Sequence, residues 1–185
     1  MLADLAVIKA GHPFRGKIES VKDGNAKAIQ IRDLDEYGHV IWNQVVRTEI
    51  SGRKKPEWLE RGDILFAARG LRNFAGCLND IPEPTVCGPH FFQIHVHNHQ
   101  VLPEYLAWAL NQQPIQKYFK QSAEGSAQLS IRKAVLENTE IAIPTLAKQE
   151  SLIALNKAVI REQKILKALL VTREQEMNFI AQDIL

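Results

Sequence analysis

Three histidines, His95, His97 and His99, stand at steps of two residues within Phe91-Phe-Gln-Ile-His-Val-His-Asn-His99. On a regular strand all three would point to one side and could hold zinc or copper. Adjacent positions on one strand rarely converge on a single ion without a ligand from elsewhere, and the alternating residues Phe92, Ile94 and Val96 read as the core side. The trio therefore reads as a wet sheet face, with metal binding as the alternative. The two cysteines, Cys77 and Cys87, have no further Cys or His at zinc-site spacing and read as reduced, buried, small hydrophobes. No serine or cysteine sits in a nucleophile elbow, and no phosphate-binding glycine loop, dinucleotide fingerprint or adenine-methyltransferase motif is present. The chain reads as non-catalytic, with no cofactor of its own.

A different chemistry is carried by cations and amides. Arg15, Lys17, Gln30, Arg32, Arg53, Lys54, Lys55, Arg69, Arg72, Asn73, Ser126 and Gln128 combine groups that neutralise phosphates or pair with guanine edges with groups that pair with adenine. The net charge is only +2, but it is unevenly placed. Residues 15–73 carry 12 Lys or Arg against 9 Asp or Glu; residues 74–111 carry none against 3; residues 112–133 carry 4 against 1. Two positive stretches flank an acidic gap, as a polyanion-facing surface requires.

The elements that must position these groups are short and mixed. Leu5–Gly11 reads as a short strand or helix, Ala28–Arg32 and Gly38–Trp42 as strands joined by a bend, and Ile64–Gly70 as a buried strand entered through an Arg61-Gly-Asp63 turn. Leu71–Pro89 reads as a recognition loop, and Phe91–His97 as a strand. Pro103 opens a helix to Asn111, Pro114 a second one, Gly125–Ser130 is a polar loop, and Ser130 is the expected N-cap of a helix over Ile131–Asn138. The expected fold class is α+β, with four to six short strands and short helices in a compact domain over 1–146.

The segment 147–185 is different in kind. It contains neither glycine nor proline, and Leu152, Leu155, Val159, Leu166, Leu169, Leu170, Met177 and Ile180 recur at steps of three and four, so a single coiled-coil-like helix is expected. At 1.5 Å per residue it would reach about 55 Å, beyond the diameter of the preceding domain. Its stripe is the expected dimer interface. No run approaches the length of about 18 apolar residues that spans a membrane, and no secretory leader pattern is present, so a cytoplasmic location is expected.

Three segments, taken together, resemble a known family. They are Ala10-Gly-His-Pro-Phe-Arg-Gly-Lys-Ile-Glu19 with Ile29-Gln-Ile-Arg-Asp-Leu34; Leu59-Glu-Arg-Gly-Asp-Ile-Leu-Phe-Ala-Ala-Arg-Gly70; and Gly125–Ser130 with Ile143-Pro-Thr-Leu-Ala-Lys-Gln-Glu150. In order and spacing they are similar to one target-recognition domain plus its conserved helix from the DNA specificity subunit of type I restriction-modification systems. The resemblance implies recognition and scaffolding: double-stranded DNA, methyltransferase subunits and, where present, motor-nuclease subunits as partners, with S-adenosylmethionine on the methyltransferase only. A full specificity subunit has two recognition domains and two helices, whereas this chain has room for one of each. A homodimer reading a palindromic bipartite site is therefore expected; the alternative is a truncated or decoy fragment that occupies methyltransferase subunits without productive DNA reading.

Overall fold

The computed structural model describes residues 1–51, 55–70, 72–123 and 129–184. Its body is three layers thick. The middle layer is an antiparallel sheet in the order β1 (Ala6–Ala10), β8 (Phe91–Val96), β4 (Ile64–Ala67), β6 (Ala75–Cys77). One outer layer is helical: α1 (Pro103–Leu110), α2 (Gln113–Ser122) and α3 (Lys133–Glu137). The other is a three-stranded sheet in the order β3 (Val46–Thr48), β2 (Ala26–Ile29), β7 (Thr85–Cys87), in which β2 and β7 run parallel. A two-residue ladder joins β5 (Arg69–Gly70) to β9 (Leu129–Ser130).

This layering explains why Ile64-Leu-Phe-Ala67 is apolar at every position. Ile64 and Phe66 face the helices, while Leu65 and Ala67 face the second sheet, and all four are buried. A strand covered on both faces loses the alternation that marks a half-exposed one. Phe66 meets Phe119 of α2 edge to face, with ring centroids 5.1 Å apart, a pairing favoured by the ring quadrupoles. On β8, Phe92, Ile94 and Val96 do face the helical core, yet Phe91 and Gln93 are buried on the opposite side.

Several expectations are corrected. Gly38–Trp42 forms no strand; only an isolated bridge links Leu34 to Val40. The reason is local: Asp35 Oδ1 accepts the Tyr37 and His39 N–H groups at 2.9 Å each, and Gly38 adopts φ 84°, so the chain reverses too tightly for a ladder. The expected strand over Ala28–Arg32 stops at Ile29, and Ile31–Asp33 is a 3-10 turn. The expected loop Leu71–Pro89 holds β6, which folds back antiparallel on β4 just before it in the chain, and β7, which pairs with the distant β2 and carries no local signature. Ser130 lies in β9 instead of capping a helix, and α3 begins at Lys133 with Arg132 in the capping position.

The last element is α4 (Leu146–Ile184), 39 residues or about 58 Å long. Its first turns pack on α1, with Leu152 and Ile153 joining the helical core. Gln149 fixes the start: it is fully buried, its Oε1 accepts the Leu102 N–H at 2.9 Å, and its Nε2 donates to the Gln100 and Pro144 carbonyls at 2.7 and 2.8 Å. Beyond Ile160 every residue described is exposed.

Candidate nucleic-acid interface

The strand registers bring several strand ends to one end of the body. Ala10 of β1 lies opposite Phe92, Ala67 of β4 opposite Phe91, and Ile29 of β2 opposite Cys87 of β7. Backbone hydrogen bonds tie these ends across the two sheets: Gly88 N–H to Ile29, His12 N–H to Cys87, Gly11 N–H to Phe91, and Ala68 N–H to His90. Gly11 runs so close to Gly88 that any Cβ there would collide with the Gly88 carbonyl, which is why this knot needs glycine.

The loops leaving this knot carry cations. Arg15 and Lys17 are exposed on the loop that starts at His12 and is pinned by Ile18, whose side chain packs with Ala28 and Val86. Arg32 is exposed on the 3-10 turn after β2, and Arg69 is exposed at the start of β5, two residues past β4. The backbone segments carrying the last two approach each other, since Ile31 Cδ1 would lie 3.7 Å from a Cβ on Gly70. Beneath Arg32 sits Asp33, wholly buried, whose Oδ2 accepts the Gln30 N–H at 2.7 Å and whose Oδ1 lies 3.8 Å from Arg32 Nε. Burial pushes the Asp33 carboxyl up from its usual range, partly offset by the Gln30 N–H and by Arg32. The segments that leave this end of the body thus carry Arg15, Lys17, Arg32 and Arg69 as exposed cations, the side-chain type that contacts phosphates and guanine edges.

Other expected site residues are placed differently. Gln30 is half-buried with its Nε2 enclosed and unpartnered among the described residues, so its amide nitrogen does not face outward. Asn73 is buried and donates to the Ala67 carbonyl at 2.9 Å; it holds a turn and has no reach into a groove. Arg72 donates to the Glu36 carbonyl at 2.7 Å with its guanidinium 4.9 Å from the Phe74 ring. It faces a cleft between the body and α4 that also meets Trp108, Lys120, Val159 and Gln163. Lys55 is exposed on the segment whose Glu57 pairs with Lys9 of β1 at 2.6 Å. Arg53, Lys54, Ser126 and Gln128 lie outside the described residues.

The histidine trio does not form a set. His95 Nδ1 lies 2.8 Å from Asp63 Oδ1, while His97 and His99 fall beyond the end of β8. Asp63 is itself buried, its Oδ2 accepting Gln93 Nε2–H and the Glu60 N–H at 2.7 Å each, so the Arg61-Gly-Asp63 turn is closed by its own carboxylate. Among the described residues no group of three or more His, Cys, Asp or Glu is arranged to hold a metal ion. Cys77 and Cys87 are unpaired, and burial pushes both thiols up to about 12.

On α4, Leu155, Val159, Leu166, Leu169, Leu170, Met177 and Ile180 are 40–64% exposed. Leu152 is the exception, because it packs on the chain's own core. Ile165, Val171, Phe179 and Ile184 are also exposed. Two contacts were not expected from the sequence. Lys164 Nζ lies 3.3 Å from Asp35 Oδ2 and Lys167 Nζ 2.5 Å from Glu36, and both ammonium groups lie over the Tyr37 ring, 5.1 and 5.8 Å from its centroid. Periodicity gives no sign of them, since their carboxylate partners lie about 130 residues earlier in the chain. Among the described residues no helix is long and apolar enough to cross a membrane.

A family model described as type I restriction modification DNA specificity domain matches residues 1–171. No curated protein matches. Among solved structures, the chain is similar to the S subunit of a type I restriction-modification system from M. genitalium, with TM-score 0.60 and 13% identity over 91% of this chain and 40% of that one. It is also similar to a chain from a study of complex assembly and conformational transition of the type I R-M system, with TM-score 0.72 and 17% identity over 97% and 42%. A third likeness is to the HsdS subunit from Thermoanaerobacter tengcongensis, with TM-score 0.62 and 16% identity over 90% and 38%. The chain thus spans about two fifths of the length of these structures.

Proposed function

Because the chain belongs to the family of type I restriction modification DNA specificity domains, we propose that it reads double-stranded DNA and directs a partner adenine methyltransferase to a bipartite site. The observation that supports this is that the segments bearing the exposed Arg15, Lys17, Arg32 and Arg69 all leave one end of two cross-tied sheets. A rigid knot with cations on its exits holds register on a phosphate backbone without spending much ordering entropy on binding. The chain itself contributes recognition and scaffolding; methyltransferase subunits, and motor-nuclease subunits where present, supply the chemistry, with S-adenosylmethionine bound to the methyltransferase.

The second half of the site comes from a second copy. The seven exposed residues of the expected stripe on α4, from Leu155 to Ile180, each worth about 1.5–3 kcal/mol on burial before ordering entropy is subtracted, favour helix pairing. An antiparallel partner centred near Ala168 would set Val159 against Met177 and Leu166 against Leu170. Charge supports the same orientation. Residues 146–167 carry 5 Lys or Arg against 2 Glu, and residues 168–184 carry 1 Arg against 3 Asp or Glu, so antiparallel helices lay opposite signs together. Two-fold pairing implies a palindromic site.

The test is single-molecule mapping of methyladenine in cells with the partner methyltransferase, with and without this chain. A palindromic motif with a fixed gap, present only with the chain, is the expected result. An asymmetric motif would overturn the homodimer in favour of pairing with a different half. Unchanged methylation, together with DNA affinity that does not fall with salt, would establish the decoy reading instead.

A further inference from the structure

We infer that loop Asp35–His39 is a clamp on α4, and that Glu36, Tyr37, Lys164 and Lys167 are positioning residues which fix the angle at which the long helix leaves the body. On the proposed function, that angle sets the gap between the two half-sites, so this part of the inference rests on that reading. The clamp has a stiff base. Asp35 Oδ1 holds the Tyr37 and His39 N–H groups, Asp35 Oδ2 lies 3.2 Å from His39 Nδ1, and Arg72 grips the Glu36 carbonyl. Gly38 lies against Gly76 of β6 so closely that no Cβ fits between their backbones. The loop is therefore shaped by the body before it meets the helix.

From this base Asp35 and Glu36 reach Lys164 and Lys167, one turn apart on α4, and Tyr37 lies beneath both ammonium groups. The contact falls just past Ile160, the last half-buried residue of α4. From there to Ile184 the helix projects about 36 Å. A rocking of only about 5° would move that tip by roughly 3 Å, close to the 3.4 Å rise of one base pair. Exposed ion pairs add little to stability, but two of them beyond the packed segment give angular stiffness that the packed segment alone lacks. Being solvent-facing, they also weaken with salt.

The experiment measures the angle directly and needs no DNA. Spin labels are placed through non-canonical residues at the exposed positions Ser20 and Gln175, and labelled chain is diluted into excess unlabelled chain, so that electron–electron distances report on one copy. At low salt the distance distribution is expected to be narrow. Glu36→Lys should widen it about twofold, and so should 0.5 M salt in the native chain. The swap Glu36→Lys with Lys167→Glu should restore the narrow distribution, which a merely destabilising change would not do. An unchanged width in Glu36→Lys, or a swap that fails to restore it, overturns the clamp. In cells, Glu36→Lys should spread methylation over motifs with gaps one base pair longer and shorter, again reversed by the swap. If the native chain directs no methylation, the functional reading fails, while the distance measurement still decides the clamp.

Discussion

At the scale of single residues, the polar side chains that matter most are those whose every group is occupied. Gln149 fills one acceptor and two donor roles at once, tying the first turn of α4 to the carbonyls of Gln100 and Pro144 and to the N–H before α1. Gln149→Ala would orphan all three, at a cost of about 2–4 kcal/mol in denaturant unfolding, with little recovered in Gln149→Glu because a carboxylate cannot donate. Asn111 works similarly, its side-chain amide accepting from and donating to Ala75 as though it were one more residue of a strand beside β6. The exposed cations are the opposite case. Arg69→Ala and Arg32→Ala should each weaken DNA binding across all sequences and reduce the log–log salt slope by about one. Arg72→Ala should leave the slope unchanged, because that guanidinium is already engaged by Glu36 and Phe74; equal slopes for all four proteins in a salt titration would remove Arg32 and Arg69 from the interface. The thiols offer a further check. With both pushed up to about 12 by burial, the folded chain should resist iodoacetamide at pH 8, where only about one thiol in ten thousand would be thiolate, and alkylate fully on unfolding; rapid labelling of the native chain would mean that these sites open.

At the scale of elements, what was legible in the sequence is what is encoded locally. The long helix shows in its lack of glycine and proline and in its stripe, α1 in Pro103, the buried strand in Ile64–Ala67 and β8 in its alternation. The residues Gly62-Asp63-Ile64-Leu65 and Pro144-Thr-Leu-Ala-Lys-Gln149 stand out in sequence, and the structure gives each a physical cause in a self-closed turn and a buried amide clasp. Non-local pairings were not legible. Strand β7 is three residues of Thr, Val and Cys that become a strand only because β2 runs parallel beside it, 58 residues earlier in register; no window around Val86 contains that information. The same holds for the interface. Periodicity could place Arg32 and Arg69 on exits from strands, but only the registers show that the exits coincide, and only the fold buries Asn73. The stripe on α4 is the element whose role is most directly tested. Leu155→Lys with Leu166→Lys puts charge on exposed positions of the free chain, 62% and 52% accessible, so on the proposed homodimer the body should stay folded by circular dichroism while the mass measured by light scattering falls to that of one chain. A mutant that remained dimeric would move the interface off the stripe, toward Ile165, Val171 and Phe179.

At the scale of the whole molecule, the arrangement is a globular head on a stalk, with the junction between them held at two points. Gln149 and the α1 contacts form the first, and the clamp on Lys164 and Lys167 the second. Past the second point α4 has no support from its own chain among the described residues, so in a two-fold pair the distance between heads is set by helix length, as rise per residue, and by the exit angle. The two dependences separate experimentally. Inserting one heptad after Ala168 keeps the apolar stripe in phase and lengthens the paired region by about 10 Å, or roughly three base pairs, while also turning each head relative to its helix by only about 20°. The methylated motif should keep both half-sites and gain a gap longer by about three base pairs. A four-residue insertion lengthens the helix by about 6 Å but rotates the stripe by about 40°, so it should weaken pairing as well as widen the gap. Sequencing of modified adenines reads both quantities at once. An unchanged gap after the heptad insertion would mean that the heads are spaced by contacts to the methyltransferase subunits and not by α4, and the stripe would then serve assembly without measuring DNA.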